Sequence, residues 1–97
     1  GYYLDGKANI VFGTHTHVQT ADEIILENGT GYITDIGMTG PVKSVIGMDT
    51  IASLKRFETS LPERYKLADG KCGFSGCIFE VDDEICRITN IKRVKMQ

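Results

Sequence analysis

Both histidines of this 97-residue chain fall in one short stretch, Gly13-Thr14-His15-Thr16-His17. Two imidazoles at i and i+2 on an extended backbone point to one side. Metal sites gather neutral nitrogen ligands in this way. The other reading of H-x-H is two polar residues on a loop or surface strand. Polar and acidic groups follow at Gln19, Thr20, Asp22 and Glu23, and a second glycine-rich loop runs Asp35-Ile36-Gly37-Met38-Thr39-Gly40-Pro41. Ligand counting leaves a shortage, because a catalytic metal takes about three protein ligands plus water and a two-metal site needs more. With no other histidine in the chain, Asp22, Glu23 and Asp35 or another polypeptide segment must supply the rest.

The second loop admits two readings. Its glycines let backbone N–H groups approach a phosphate oxygen, with Thr39 adding a hydroxyl, so Gly37, Thr39 and Gly40 are candidate substrate contacts. Equally, the glycines can serve only to shape a tight turn, since the spacing matches neither a Walker A loop nor a dinucleotide fingerprint. Asp35 is open between a partner that orients an imidazole and a turn-forming residue.

The elements that would position these residues are mostly strands. Asn9-Ile10-Val11-Phe12 reads as a short buried strand delivering the histidines at its end, with Gly13 letting the chain turn out. Residues 23–26 and 31–34 flank Asn28-Gly29, a hairpin signal. Asp49 is an N-cap for a helix over roughly 50–59, whose stripe Met48, Ile51, Leu54 and Phe57 is expected in the core; Leu61-Pro62 ends it. A second hairpin runs from Phe74 to Val81 and from Ile85 to Val94, turning at Asp82-Asp83. In its return strand Ile85, Ile88, Ile91 and Val94 recur every third residue, which suits a helix face, while β-branching and the turn favour a strand bulged near Asn90.

Composition is that of an ordinary globular piece, with 41% hydrophobic and 25% charged residues and a net charge of −2. It favours neither disorder nor a membrane protein, and gives no electrostatic case for nucleic-acid binding. No apolar run reaches bilayer length and no signal peptide is visible, so no membrane partner and a cytoplasmic location are expected. The basic group Lys92, Arg93 and Lys95 reads as a solvated strand face. Cys72, Cys77 and Cys86 form no C-x-x-C spacing. They are expected as reduced, partly buried thiols, although Cys77 and Cys86 could approach across the second hairpin.

Three ordered runs carry a resemblance: Gly13 to Glu23, Gly31 to Pro41 (Gly-Tyr-Ile-Thr-Asp-Ile-Gly-Met-Thr-Gly-Pro) and Ile46-Gly47-Met48-Asp49. Together they resemble the C-terminal part of calcineurin-like metallophosphoesterases of the bacterial YmdB type, described as 2′,3′-cyclic-nucleotide phosphodiesterases. The likeness is strongest over residues 9–64. It implies an α/β fold, the C-terminal part of a metallophosphoesterase sandwich, strand-rich with one or two helices. It also implies that His15 and His17 each ligate a different ion of a dinuclear centre of iron, manganese or zinc.

The family's upstream ligands (an Asp, a Glu, Asn residues and a further His) and its catalytic His have no counterpart in residues 1–97. The expectation is therefore a C-terminal fragment of a single domain, inactive alone, with no catalytic residue of its own beyond the two ligands. Its partners would be the upstream remainder of the protein, a cyclic nucleotide or other phosphodiester, and a second copy in a homo-oligomer. The alternatives are a non-catalytic oligomerisation or scaffold module, and a phosphomonoesterase using the same metal centre.

Overall fold

The computed structural model describes all residues from 1 to 97. The chain forms a mixed α/β arrangement, mostly strands with a single α-helix, as the sequence suggests. A 3-10 turn (Tyr2–Leu4) precedes β1 (Ile10–Phe12), β2 (Ile24–Ile25), β3 (Gly31–Ile33), β4 (Gly40–Pro41), α1 (Thr50–Thr59), β5 (Cys72–Asp82) and β6 (Arg87–Met96).

The first sheet has the order β1-β3-β2, with β1 parallel and β2 antiparallel to β3. Its β2–β3 hairpin turns at Asn28-Gly29 as expected, because Gly29 sits at φ 91, a conformation with no steric cost for glycine. The Asp5 carboxylate accepts from the backbone N–H groups of Asn28 and Thr30 and fixes the turn from outside. The second sheet is antiparallel, in the order β4-β5-β6. β6 is a strand, and its bulge lies beside Asn90: Glu80 faces Asn90 but Val81 faces Ile88, leaving Thr89 as the extra residue. That insertion puts Ile88 and Ile91 on one face and accounts for their three-residue spacing. The connecting turn takes residues 83–86 rather than closing at Asp82-Asp83. Cys77 therefore lies opposite Arg93 while Cys86 sits in the turn, so the two do not approach, and all three cysteines are free.

The sheets meet where β6 reaches the first hairpin. The Ile88 N–H donates to the Gly29 carbonyl at 3.0 Å, and Ile88 joins Leu26, Ile33 and Ala68 as the buried apolar residues.

That core is small. Only 12 of 97 residues are buried, and the radius of gyration is 17.3 Å, against about 13 Å for a compact chain of this size. Two expectations fail for this reason. β1 is not buried: nothing in the chain covers its outer face, and Ile10 and Phe12 are exposed. The helix forms as expected, with the Asp49 carboxylate accepting from the Ala52 N–H at 2.9 Å. It stops one residue before Leu61-Pro62, at Ser60 in the left-handed conformation (φ 56). Its stripe, however, is not core. Ile51 (77% exposed), Leu54 (53%) and Phe57 (74%) face outward, and only Ser53 of the helix is buried. No helix is long and apolar enough to cross a membrane.

Candidate functional site

The histidine loop begins where β1 runs out. The Gly13 N–H donates to the Ile33 carbonyl (3.2 Å), and the Gly13 carbonyl accepts from the Ile36 N–H (3.0 Å), so pairing with the β3 side continues one residue past the strand. A Cβ at Gly13 would collide with the Thr34 carbonyl oxygen. Glycine is needed here for close approach of two backbones, a stricter demand than freedom to turn.

The two histidines do not sit on extended backbone. His15 has φ 95 and His17 φ 66, both in the left-handed region that histidine enters more readily than most residues. Each such residue costs about 1–3 kcal/mol and persists only where its surroundings over-determine it. The bends bring the rings together edge to face, with centroids 6.4 Å apart and planes at 78°. Both residues are exposed.

Asp35 provides the over-determination. It is fully buried. One carboxylate oxygen accepts from the Thr16 N–H (3.0 Å) and the Thr16 hydroxyl (2.7 Å), and the other from the Gly37 N–H (2.7 Å). The residue between the histidines is thus bound to the start of the second glycine-rich loop. The Thr16 hydroxyl, followed by the Gly37 N–H, holds the Asp35 carboxyl below the ordinary carboxylate range. Asp35 closes a turn at Gly37, and it sets the histidines through Thr16 without touching either ring.

His17 has a further tie. Its Nδ1 lies 2.7 Å from the Ile46 carbonyl oxygen. A carbonyl only accepts, so the contact is a hydrogen bond when Nδ1 carries a proton, and in the neutral ring that leaves the Nε2 lone pair open. Gln19 then fastens the loop to the other sheet, its side-chain amide donating to the Gly76 (2.9 Å) and Val94 (3.2 Å) carbonyls. Gln19 stands out in the sequence only as one of several polar neighbours, and Ile46 not at all. One acts through a long-range amide contact and the other through its main chain, and no residue-type pattern marks either role.

The nearby carboxylates are engaged elsewhere. Asp22 accepts from the hydroxyls of Thr20 and Thr34, which lower its pKa to about 2. Glu23 pairs with Arg93 at 2.8 Å, a contact that lowers its pKa, while Arg93 itself stays exposed on the strand face expected for the tail. No group of three or more His, Cys, Asp or Glu side chains converges to hold a metal ion. The chain offers two imidazoles with a free coordinating edge, which fits part of a ligand set.

Beside His17 lies a cleft of about 310 Å³, lined by Gly40, Ser44, Phe74, Ser75 and Lys95 among others. Of the second-loop candidates, Gly40 shares this cleft with His17. Thr39 is exposed outside its lining. Gly37 packs between Gln19 and Ser75 with its N–H already given to Asp35.

A family model described as "YmdB-like protein" matches residues 1–94. A 2′,3′-cyclic-nucleotide 2′-phosphodiesterase from Bacillus subtilis is 51% identical over 94 residues, covering 97% of this chain and 36% of the relative. A putative phosphatase/phosphodiesterase from Mycoplasma pneumoniae is 38% identical over 96 residues, covering 96% and 34%. Among solved structures, a hypothetical protein from Thermus thermophilus superposes with a TM-score of 0.90 at 40% identity, covering 97% of this chain and 36% of that one. A novel phosphatase from Mycoplasma pneumoniae gives a TM-score of 0.92 at 34% identity, covering 98% and 34%. The chain spans about a third of the length of these relatives.

Proposed function

The chain belongs to the YmdB-like family, and from that premise we propose that it supplies His15 and His17 to the two-metal centre of a phosphodiesterase acting on 2′,3′-cyclic nucleotides. The remaining ligands and the catalytic acid or base come from the upstream two thirds present in its relatives. One observation carries this reading. Two exposed imidazoles stand 6.4 Å apart on a loop tied to a buried carboxylate, one of them (His17) lining a cleft, with no third ligand from their own chain.

Each residue has a definite part. His17 presents Nε2, because its other nitrogen is bonded to Ile46. His15, on the far side of Thr16, ligates the second ion. Neutral imidazole suits iron, manganese or zinc. When bound, such ions supply Lewis-acid polarisation of a phosphoryl oxygen and a nucleophile at neutral pH. Asp35 contributes by fixing Thr16 and stays clear of substrate. The cleft takes the substrate beside His17, with Gly40 in its wall and Thr39 at its margin; Gly37 serves the loop's shape. The exposed faces of β1 and α1 receive the upstream part of the protein.

In the full-length protein, His15→Ala and His17→Ala should each reduce metal content and lower hydrolysis of a 2′,3′-cyclic nucleotide by at least about a hundredfold. Wild-type metal content and turnover in both variants would refute the assignment. The names of the Mycoplasma relatives make a phosphomonoester the comparison substrate, and preference for it would shift the reading from diesterase to phosphatase.

A further inference from the structure

The Ile46 carbonyl reaches His17 from a turn whose construction exceeds what a connection between β4 and α1 requires. Ile46 has φ 48, a conformation that is a true outlier for a β-branched side chain. The turn is fastened on both sides of it. The Ser44 hydroxyl donates to the Pro41 carbonyl (2.7 Å) and accepts from the Gly47 N–H (2.9 Å). Val45 and Met48 exchange both backbone hydrogen bonds at 2.9 Å. The Ile46 side chain is not what the turn exists to bury, since it is 52% exposed. With Gly47 at φ 98, Ile46 takes the first position of a two-residue hairpin turn that needs positive φ at both central residues, and this turn places the Ile46 carbonyl 2.7 Å from Nδ1 of His17.

We propose that the Pro41–Met48 turn is a positioning element for His17, locking its imidazole as the Nδ1–H tautomer so that Nε2 alone faces a ligand. His15 has no equivalent tie to its ring. The pair is therefore asymmetric: one histidine is fixed in advance and the other is left to be oriented by what it binds. The inference rests on His17 being a ligand for its functional meaning, but the tautomer itself is a property of the metal-free protein. Orientation of a ligating imidazole through its second nitrogen typically changes metal affinity by about 10- to 100-fold.

The test uses the full-length protein, with nitrogen-15-labelled histidine and metal removed, at a pH where imidazole is neutral. Long-range proton–nitrogen correlation spectra should show His17 as the Nδ1–H tautomer in the wild type. Ile46→Gly, which favours positive φ, should retain it. Ser44→Ala, which removes both hydrogen bonds of that hydroxyl, should move His17 toward the Nε2–H tautomer and weaken Zn²⁺ binding by about tenfold. Ile46→Pro, with φ locked near about −65°, should do the same more strongly. The backbone amide spectrum checks folding in each case, and the wild-type tautomer is decisive even if a variant fails to fold. A wild-type His17 in the Nε2–H form would overturn the proposal, as would a folded Ser44→Ala protein with unchanged tautomer and Zn²⁺ affinity. A proposed function that failed would show differently, as full metal content in His17→Ala.

Discussion

Residues 13–37 and residues 49–67 are comparable stretches of the same chain, yet they are held in opposite ways. The histidine loop is fixed by polar contacts reaching both sheets: Asp35 to Thr16, Gln19 to Gly76 and Val94, Ile46 to His17. The helical arm is locally well made, with an N-cap, a left-handed C-cap and a Lys55–Glu63 ion pair at 3.1 Å. Its apolar side, Ile51, Leu54, Phe57, Leu61, Tyr65 and Leu67, nevertheless lies open. Hydrogen bonds fix geometry within a chain without needing a large core, whereas an amphipathic helix gains most of its stability from the surface it packs on. The histidine loop is thus fixed in shape by its own chain, while the apolar faces are left open.

The sharpest break of this contrast is at Gly13. Gly13→Ala drives a methyl group into the Thr34 carbonyl oxygen, between two backbones that cannot both give way. Denaturant unfolding should show a loss of about 3 kcal/mol, and the His15 and His17 resonances should lose their dispersion. A smaller pair of effects is expected on the arm. Asp49→Ala removes the helix cap and should cost about 1 kcal/mol, seen as reduced helical circular dichroism. Phe57→Ser, though it deletes a large apolar group, should change the stability of this chain by less than about 0.5 kcal/mol, as at any exposed site. A loss of about 3 kcal/mol or more there would mean the stripe is packed after all.

The smallest effect is one of pH. The Thr20 and Thr34 hydroxyls lower the Asp22 carboxyl from 3.8 to about 2. The folded protein therefore favours the ionised form more than the unfolded chain does. The stabilisation is fully present above the ordinary value and is lost as pH falls from about 4 to about 2. Asp22→Asn should lower the melting temperature slightly near neutrality, with the gap from wild type closing across that acid window. A gap that persists below it would assign the effect to packing.

Much of the fold was legible because it is local. Asn28-Gly29 specifies its hairpin through positive φ, Asp49 specifies the helix start, and Thr89 beside Asn90 reconciles a three-residue apolar spacing with a strand. Burial was not legible. The apolar spacing of Ile51, Leu54 and Phe57 shows that a helix has a face to bury and does not say which polypeptide covers it. In the candidate site, type and spacing single out the two histidines, but their backbone is left-handed rather than extended. Their left-handed conformations are imposed by Asp35, Gln19 and the Ile46 carbonyl, contacts made across 19 to 75 residues of sequence. Such contacts leave no periodicity to read.

On the proposed function, this chain holds two ligands of a metal centre whose others lie upstream. The most direct measurement compares the 97-residue chain alone with the full-length protein, each saturated with Mn²⁺ and assayed on a 2′,3′-cyclic nucleotide. Only the full-length protein should bind two ions tightly and turn over, and it should lose both properties with His15→Ala. Robust turnover by the chain alone, abolished by the same substitution, would contradict the account.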